Sequence, residues 1–436
     1  MIGRQFFGRA SWTLIDQSVV SGGNFLLNVL LARVLSVDDY GEFALFLGAI
    51  FLLRTIDYSF ISYPVSLRLA VVRDDERPRL LGNTALLTLG LSLVLVAVMA
   101  CGTALLEDDN ILLPACLCYL CWQAHETPRR VLLGDVRFRA AVAGDAVAYV
   151  GQVLLIAGLL WLDTVTLTGT LYAMSATFVA GSFVHSRKLR FARPDLRESW
   201  RLARDYLSIG RWSVVSYQLV LIRVQLFPWT LAAVAGVAAT ASFQAAMNIV
   251  GAMNPVIFGI GNAIPQVAAS GHASGGVREG WHAASRYLLF GLVPITAMCA
   301  VTVLLPELLL RTAYGPTSPY LAVAVGLQLF ALSSLLDYLA EVMSKTLLGV
   351  QAGKQAFLVN VTAVLVALGL ALVLVGPFGV LGACASLLAA NLARVAGGAL
   401  ALLWLIKAER SGKQGHGTVG HVPASLDKVA AEAAKH

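Results

Sequence analysis

The sequence predicts an all-α membrane protein that crosses the bilayer twelve times and is built as two lobes of six helices. Of its 436 residues, 58% are apolar and 13% are charged, about half the charged fraction usual for soluble proteins. Twelve apolar stretches of about 20 residues, enough for one crossing each, follow one another with short polar joints. The two halves of the chain also resemble each other. A soluble enzyme and a singly anchored protein are both excluded.

The predicted spans and domains follow from these stretches. In chain order the spans lie at 11–31, 41–63, 81–106, 110–132, 141–162, 166–186, 207–235, 240–264, 286–306, 320–344, 356–375 and 380–406. The predicted domains are an N-lobe at 1–186, a basic linker at 187–206, a C-lobe at 207–407 and a disordered tail at 408–436.

The orientation follows from the charges of alternate joints. One set of joints, together with the two termini, holds 26 of the 32 lysines and arginines. The other set holds only Arg33 and Arg311, against eight acids. By the positive-inside rule both termini are cytoplasmic. The net charge of +7 therefore reports topology, and scattered basic joints do not make the contiguous face that nucleic acid requires.

An internal repeat supports the two lobes. Its matches keep chain order at offsets of about 200 to 215 residues: Trp12 with Trp212, Phe43 with Phe243, Leu132-Leu133-Gly134 with Leu347-Leu348-Gly349, Asp145 with Asn360, and Gly169 with Gly379. Six helices per repeat is an even number, so the two lobes are related by an axis along the membrane normal, as in transporters whose lobes rock about a central cavity.

Several short strings resemble a known family. They are Gly23-Asn24, Leu31-Ala32-Arg33-Val34-Leu35, Asp39-Tyr40-Gly41, Arg137-Phe138-Arg139 with Asp145, Gly349 to Lys354 with Asn360, and Pro377-Phe378-Gly379-Val380-Leu381-Gly382-Ala383. Together they resemble the Wzx-like polysaccharide flippases of the multidrug/oligosaccharidyl-lipid/polysaccharide (MOP) exporter superfamily, which also contains the MATE exporters. The resemblance implies a MATE/MOP-like fold.

The resemblance also implies a function. A non-enzymatic flippase would carry an undecaprenyl-diphosphate-linked oligosaccharide from the cytoplasmic to the outer leaflet of a bacterial inner membrane by alternating access, for exopolysaccharide or O-antigen synthesis. Its partners would be this lipid, the bilayer and the polymer export machinery, with H⁺ or Na⁺ coupling and no bound cofactor. The alternative is a MATE-like, cation-coupled drug or metabolite exporter. A glycan polymerase or ligase is disfavoured because the outer joints are too short for an extracytoplasmic domain.

Three arginines lie near mid-membrane, where a charged side chain costs about 2.5–3.5 kcal/mol and needs a partner or a wet cavity. Arg54, Arg223 and Arg394 are therefore candidate ligands for a diphosphate, whose geometry suits guanidinium forks. The alternative for Arg54 is a structural ion pair with Asp57, three residues along the same helix.

Four acids are candidate ion-coupling residues. Asp337 and Glu341 are one helical turn apart, so they resist simultaneous ionisation and favour a bound proton or sodium ion. The alternative is that both reach cytoplasmic water. Asp16 and Asp57 are the other two candidates.

Uncharged amides form the remaining polar candidates. On the first span, Gln17, Asn24 and Asn28 share one face with Ser21. Gln218 and Gln225 lie seven residues apart on the seventh span. Amides suit sugar hydroxyls, and the alternative is hydrogen bonding between helices.

The sequence favours no metal site. Cys116, Cys118 and Cys121, followed by His125, offer soft ligands along one helix. Their segment is otherwise apolar and supplies few groups that would orient such ligands.

Overall fold

The fold is described by a computed structural model, which covers residues 2–69, 72–104, 109–135 and 137–411; the predicted tail from 412 onward lies outside the described residues. Those described are almost entirely helical, which confirms the all-α class. The first seven helices are α1 (Ile2–Val34), α2 (Val37–Leu69), α3 (Arg77–Ala104), α4 (Asp109–Gly134), α5 (Phe138–Trp161), α6 (Leu167–Ser186) and α7 (Leu196–Ala235).

Two very long helical runs in the second half are each broken at glycine. Val237–Leu304 has non-helical backbone at Gly275 and Gly276, and Gly353–Arg410 at Gly379, whose φ is +52°. Glycine carries no Cβ and so tolerates these angles. The remaining elements are α8 (237–274), α9 (277–304), α10 (Pro306–Tyr314), α11 (Pro319–Gly349), α12 (353–378) and α13 (380–410).

Among the described residues, seven helical runs qualify as membrane spans by length and apolar composition. The two glycine breaks raise this number to nine, and α1, α4 and α7, which carry more polar residues, complete the predicted twelve. The short helix α10 is a connection between α9 and α11. An even number of crossings returns the chain to the side where it began. We call that side the basic end and the opposite side the acidic end.

Each half packs mainly against itself. In the N-half (α1–α6), α4 packs on α6 and α1 on α5; in the C-half (α7–α13), α11 packs on α9 and on the α12–α13 run. Between the halves, α2 packs on α7 and α8. Gly41 permits that approach, because a Cβ there would lie 2.3 Å from the carbonyl oxygen of Val237.

Candidate functional site

A buried ion cluster occupies the part of the N-half nearer the basic end. Its centre is Arg129 on α4, of which only 4% of the side chain is exposed. Its Nε donates to Asp145 on α5 at 2.6 Å, its Nη2 to Asp16 on α1 at 2.9 Å, and its Nη1 to Glu126 at 3.4 Å. All three guanidinium nitrogens are thus used. A buried arginine with three carboxylate acceptors holds three helices in one arrangement, and loss of one partner would leave an uncompensated charge.

Two π-helical turns follow buried acids of this region. Tyr58–Ser62 follows Asp57 in α2, and Ala146–Val150 follows Asp145 in α5. The wider π-helical turn brings residues five apart into register, so Ser62 Oγ donates to Asp57 Oδ2 at 3.2 Å. The other carboxylate oxygen of Asp57, Oδ1, is buried and has no hydrogen-bond partner among the described residues.

Arg54 pairs with Glu126 on α4, and the alternative pair with Asp57 is not found among the described residues. Arg54 Nη2 lies 3.6 Å from Glu126 Oε1, and Arg130 Nε donates to that same oxygen at 2.6 Å. Both side chains are partly exposed, Arg54 by 37% and Arg130 by 26%. Two guanidinium groups therefore converge on one carboxylate oxygen while each keeps an exposed edge.

Aromatic rings support both of these arginines. The guanidinium carbon of Arg54 lies 5.7 Å from the centre of the Trp122 ring, and that of Arg130 lies 5.4 Å from the Tyr58 ring. Cation–π contacts of this kind orient a guanidinium without using its N–H donors. Apart from Arg130 Nε, which donates to Glu126, the N–H donors of both guanidinium groups are left for a further anion.

Two buried histidines adjoin the cluster. His125 on α4 and His185 on α6 stack with ring centres 4.7 Å apart, and their Nε2 atoms lie 3.2 and 3.7 Å from Asp145 Oδ1. These three residues have ligand atoms within 4.8 Å of one another, as a metal ion would require. Arg129, 2.6 Å from the same carboxylate, already supplies a positive charge there, and His185 Nε2 lies 2.9 Å from the carbonyl oxygen of Ala141. Four buried atoms of these residues have no hydrogen-bond partner among the described residues: His125 Nδ1, His125 Nε2, His185 Nδ1 and Asp145 Oδ1.

The C-half contains a second cluster centred on Arg394 of α13. Its Nη1 donates to Asp337 at 2.5 Å, its Nη2 to Glu341 at 3.2 Å and its Nε to Asn360 at 3.1 Å. Because Arg394 is 2% exposed and all three nitrogens are occupied, its guanidinium does not face a cavity as a free fork. Asp337 and Glu341 are likewise held by an arginine, which differs from two acids competing for a single proton.

The polar face of α1 is exposed in part. Gln17 and Asn24 are exposed, whereas Asn28 is buried and accepts hydrogen bonds from Tyr40 and Gln244, each at 3.4 Å. On α7, Gln218 donates to the carbonyl oxygen of Leu52 at 3.1 Å.

The two remaining candidates on α7 are Gln225 and Arg223. Gln225 is buried beside Gly48 of α2. The side chain of Arg223 lies outside the described residues. The positions of Gln218 and Gln225 therefore fit the alternative in which these amides form hydrogen bonds between helices.

Contacts across the two halves are found at the acidic end. Arg33, at the end of α1, donates to the carbonyl oxygens of Thr312 and Ala313 at 2.6 and 2.5 Å, in the last turn of α10. The rings of Tyr40 and Tyr320 lie 5.9 Å apart. A cation at a helix C-terminus is favoured by the helix dipole, so these contacts join the two halves at the acidic end.

Sequence reasoning missed the residues at the centre of the N-half cluster. Glu126, Arg129 and Arg130 lie inside the predicted span 110–132, which matches α4, but none of them is among the candidate residues. The available signal was the repeat. At the offset of 215 that aligns Asp145 with Asn360, Glu126 aligns with Glu341.

Solved structures with a similar fold are transporters. A multidrug resistance MATE family transporter of the MOP superfamily in an inward-facing conformation aligns with a TM-score of 0.74 at 15% identity, covering 90% of this chain and 96% of that one. Another MOP superfamily transporter, from Pyrococcus furiosus and reported to have a binding pocket of reversed polarity, aligns with a TM-score of 0.61 at 14% identity, covering 93% of this chain and 95% of that one.

Sequence comparison adds the family. No curated protein gives a significant match to the chain. The family profile described as polysaccharide biosynthesis protein matches residues 9–270, more than half of the chain. The fold is that of these MOP superfamily transporters. The chain therefore belongs to the polysaccharide biosynthesis protein family and is a multi-pass membrane protein.

Proposed function

We propose that the protein is a flippase for an undecaprenyl-diphosphate-linked oligosaccharide, oriented with both termini in the bacterial cytoplasm. The observation that carries the proposal is the convergence of Arg54 and Arg130 on Glu126 Oε1. Both arginines are partly exposed. Arg54 lies within the span α2, where exposure of a cation is costly unless it faces a wet cavity, and Arg130 lies one turn from the basic end of α4. Their free edges suit a diphosphate, which takes parallel N–H···O bonds.

The cluster can release these two arginines to a substrate. When Arg54 and Arg130 turn toward a diphosphate, Glu126 keeps Arg129 as a partner through Oε2 at 3.4 Å. A buried carboxylate without a cation would cost several kcal/mol, and the contact with Arg129 avoids this cost. Glu126 acts as the internal anion that holds both arginines until the substrate replaces it.

The exposed amides of α1 suit the sugar part of the substrate. Gln17 and Asn24 face outward from the helix on one side, at membrane depth. In the proposed transport cycle, a cleft lined by this face would open toward the basic end. Sugar recognition there would rest on uncharged hydrogen bonds.

Asp57 is the coupling residue that the geometry supports best. It is buried, and the unpartnered Oδ1 gives a proton a place to bind beside the Arg54 and Glu126 pair. Proton binding would remove an unsatisfied charge from the membrane interior. Asp16, Asp337 and Glu341, in contrast, are each paired with an arginine.

Two measurements test the substrate. Deletion of the gene should abolish the polymer and leave lipid-linked repeat units in the inner leaflet. Proteoliposomes containing the purified protein should expose a fluorescent polyprenyl-diphosphate sugar to an added glycosidase faster than protein-free liposomes do. Unchanged polymer together with new drug sensitivity would contradict the proposal and favour the MATE-like exporter.

A further inference from the structure

The first turns of α7 carry an exposed amphipathic surface that the transport site does not use. Its apolar row consists of Leu196, Trp200 and Leu207, which fall on one helical face and are all exposed, Trp200 by 63%. Beside it runs a row of exposed arginines, Arg197, Arg201 and Arg204, spaced at i, i+4 and i+7. We call these six residues the interfacial face.

The opposite side of the same turns is fixed to the N-half. Ser199 Oγ donates to Asn83 Oδ1 at 3.0 Å, and the hydroxyls of Tyr206 and Thr84 lie 3.0 Å apart. The interfacial face is therefore held outward by contacts on α3, and its exposure is not a result of a detached helix end.

The charges on this helix are separated by face. Its two acids point toward the N-half, where Glu198 accepts from Asn83 at 3.2 Å and Asp205 pairs with Arg68. The arginines remain outward, and the guanidinium of Arg204 lies 5.5 Å from the centre of the Trp200 ring. An apolar row with a tryptophan next to a basic row is the pattern of a helix that lies at the membrane surface.

We infer that the interfacial face binds anionic phospholipids of the bilayer leaflet at the basic end. The apolar row inserts among the acyl chains, and the arginine row contacts the phosphate groups just above them. Complementary charge selects the ligand, because a zwitterionic headgroup offers no net charge to the three arginines. The inference does not depend on which substrate the protein moves.

The test uses the full-length protein in nanodiscs that contain brominated lipids, which quench nearby tryptophan. The difference between the protein and Trp200→Phe isolates the signal of Trp200. We expect brominated phosphatidylglycerol to quench this signal about two to five times more than brominated phosphatidylcholine at equal mole fraction, with the preference weakening in high salt.

Two variants decide the origin of that preference. In R197Q/R201Q/R204Q the preference should disappear while quenching by phosphatidylcholine stays, because the apolar row is intact. The control R79Q/R278Q/R286Q removes three exposed arginines from other joints and should keep the preference. Equal quenching by both lipids, no quenching by either lipid, or the same loss in the control would overturn the inference. Size-exclusion profiles identical to that of the unaltered protein exclude misfolding as the cause.

Discussion

Arg129 and Arg394 are the centres of the same buried arrangement in the two halves of the molecule. The two acceptors of the arginine Nε atoms are related by the repeat. Arg129 donates through Nε to Asp145 on α5, and Arg394 donates through Nε to Asn360 on α12. Each also binds the repeat-related glutamate, Glu126 or Glu341. The arginines themselves come from non-equivalent helices, α4 and α13. The two clusters therefore use acceptor residues at equivalent positions of the repeat, but the arginine that binds them comes from a different helix in each half.

This relationship predicts a structural role for both arginines. Arg129→Ala leaves the buried Asp16 and Asp145 without their cation, which should cost about 3–5 kcal/mol of stability. Arg394→Ala should cost less, because Asp337 and Glu341 are 33% and 24% exposed and Glu341 keeps Lys345 as a partner. We expect a clear fall in membrane abundance and in the melting temperature of the purified protein. The matched control is Arg311→Ala at the exposed pair with Glu307, which should cost under about 1 kcal/mol. If Arg394→Ala has normal abundance and a normal melting temperature, a structural role is excluded and Arg394 is again a candidate for substrate binding.

Arg54 and Arg130 should act on transport more than on stability. In Arg54→Lys and Arg130→Lys the charge is kept and the bidentate geometry is lost. We expect lipid-linked oligosaccharide transport to fall about tenfold or more at near-normal abundance, measured by complementation of polymer export with immunoblotting. Exposed Arg79→Lys provides the control. Normal export by both variants would mean that the diphosphate is held elsewhere.

Glu126 should compete with the substrate. In Glu126→Gln the side-chain shape is preserved but the negative charge that holds Arg54 and Arg130 is removed. The affinity for a polyprenyl diphosphate, measured with a fluorescent analogue in detergent, should rise, since no internal carboxylate must be displaced. A loss of affinity in a stable variant would show that Glu126 supports the anion site and does not oppose it.

Asp57→Asn should separate folding from coupling. The amide keeps the size of the side chain and can still accept from Ser62, so abundance should remain near normal. If Asp57 carries the coupling proton, transport into proteoliposomes should no longer respond to an imposed pH gradient. An Asp57→Asn protein that responds to the gradient as the unaltered protein does would exclude this residue.

The acidic end should open during transport. The rings of Tyr40 and Tyr320 lie 5.9 Å apart, so cysteines at these positions should be joined by a short bis-methanethiosulfonate cross-linker that spans the space of the two rings. In a background without the native cysteines, cross-linking should stop transport and a reductant should restore it. Each single cysteine variant controls for the substitution itself. Full transport by the cross-linked pair would show that this contact does not need to break.

The general architecture follows from patterns that lie within single segments of the chain. A run of about 20 apolar residues must cross the bilayer as a helix, since every backbone polar group has to be satisfied within the segment. Gly276 and Gly379 then separate consecutive spans that are otherwise continuous in helical character. For these reasons the twelve spans and the all-α class were predictable, and the family resemblance could be recognised from short strings.

The partners of the buried charges depend on distances between helices, which no local pattern contains. Arg54 and Asp57 share a face of one helix, yet Arg54 turns to Glu126 on α4, because the packing of α2 against its neighbours brings that carboxylate within reach. Arg394 likewise finds three acceptors on α11 and α12. In the membrane interior a charge takes whichever partner best offsets its desolvation, and that choice is made by tertiary packing.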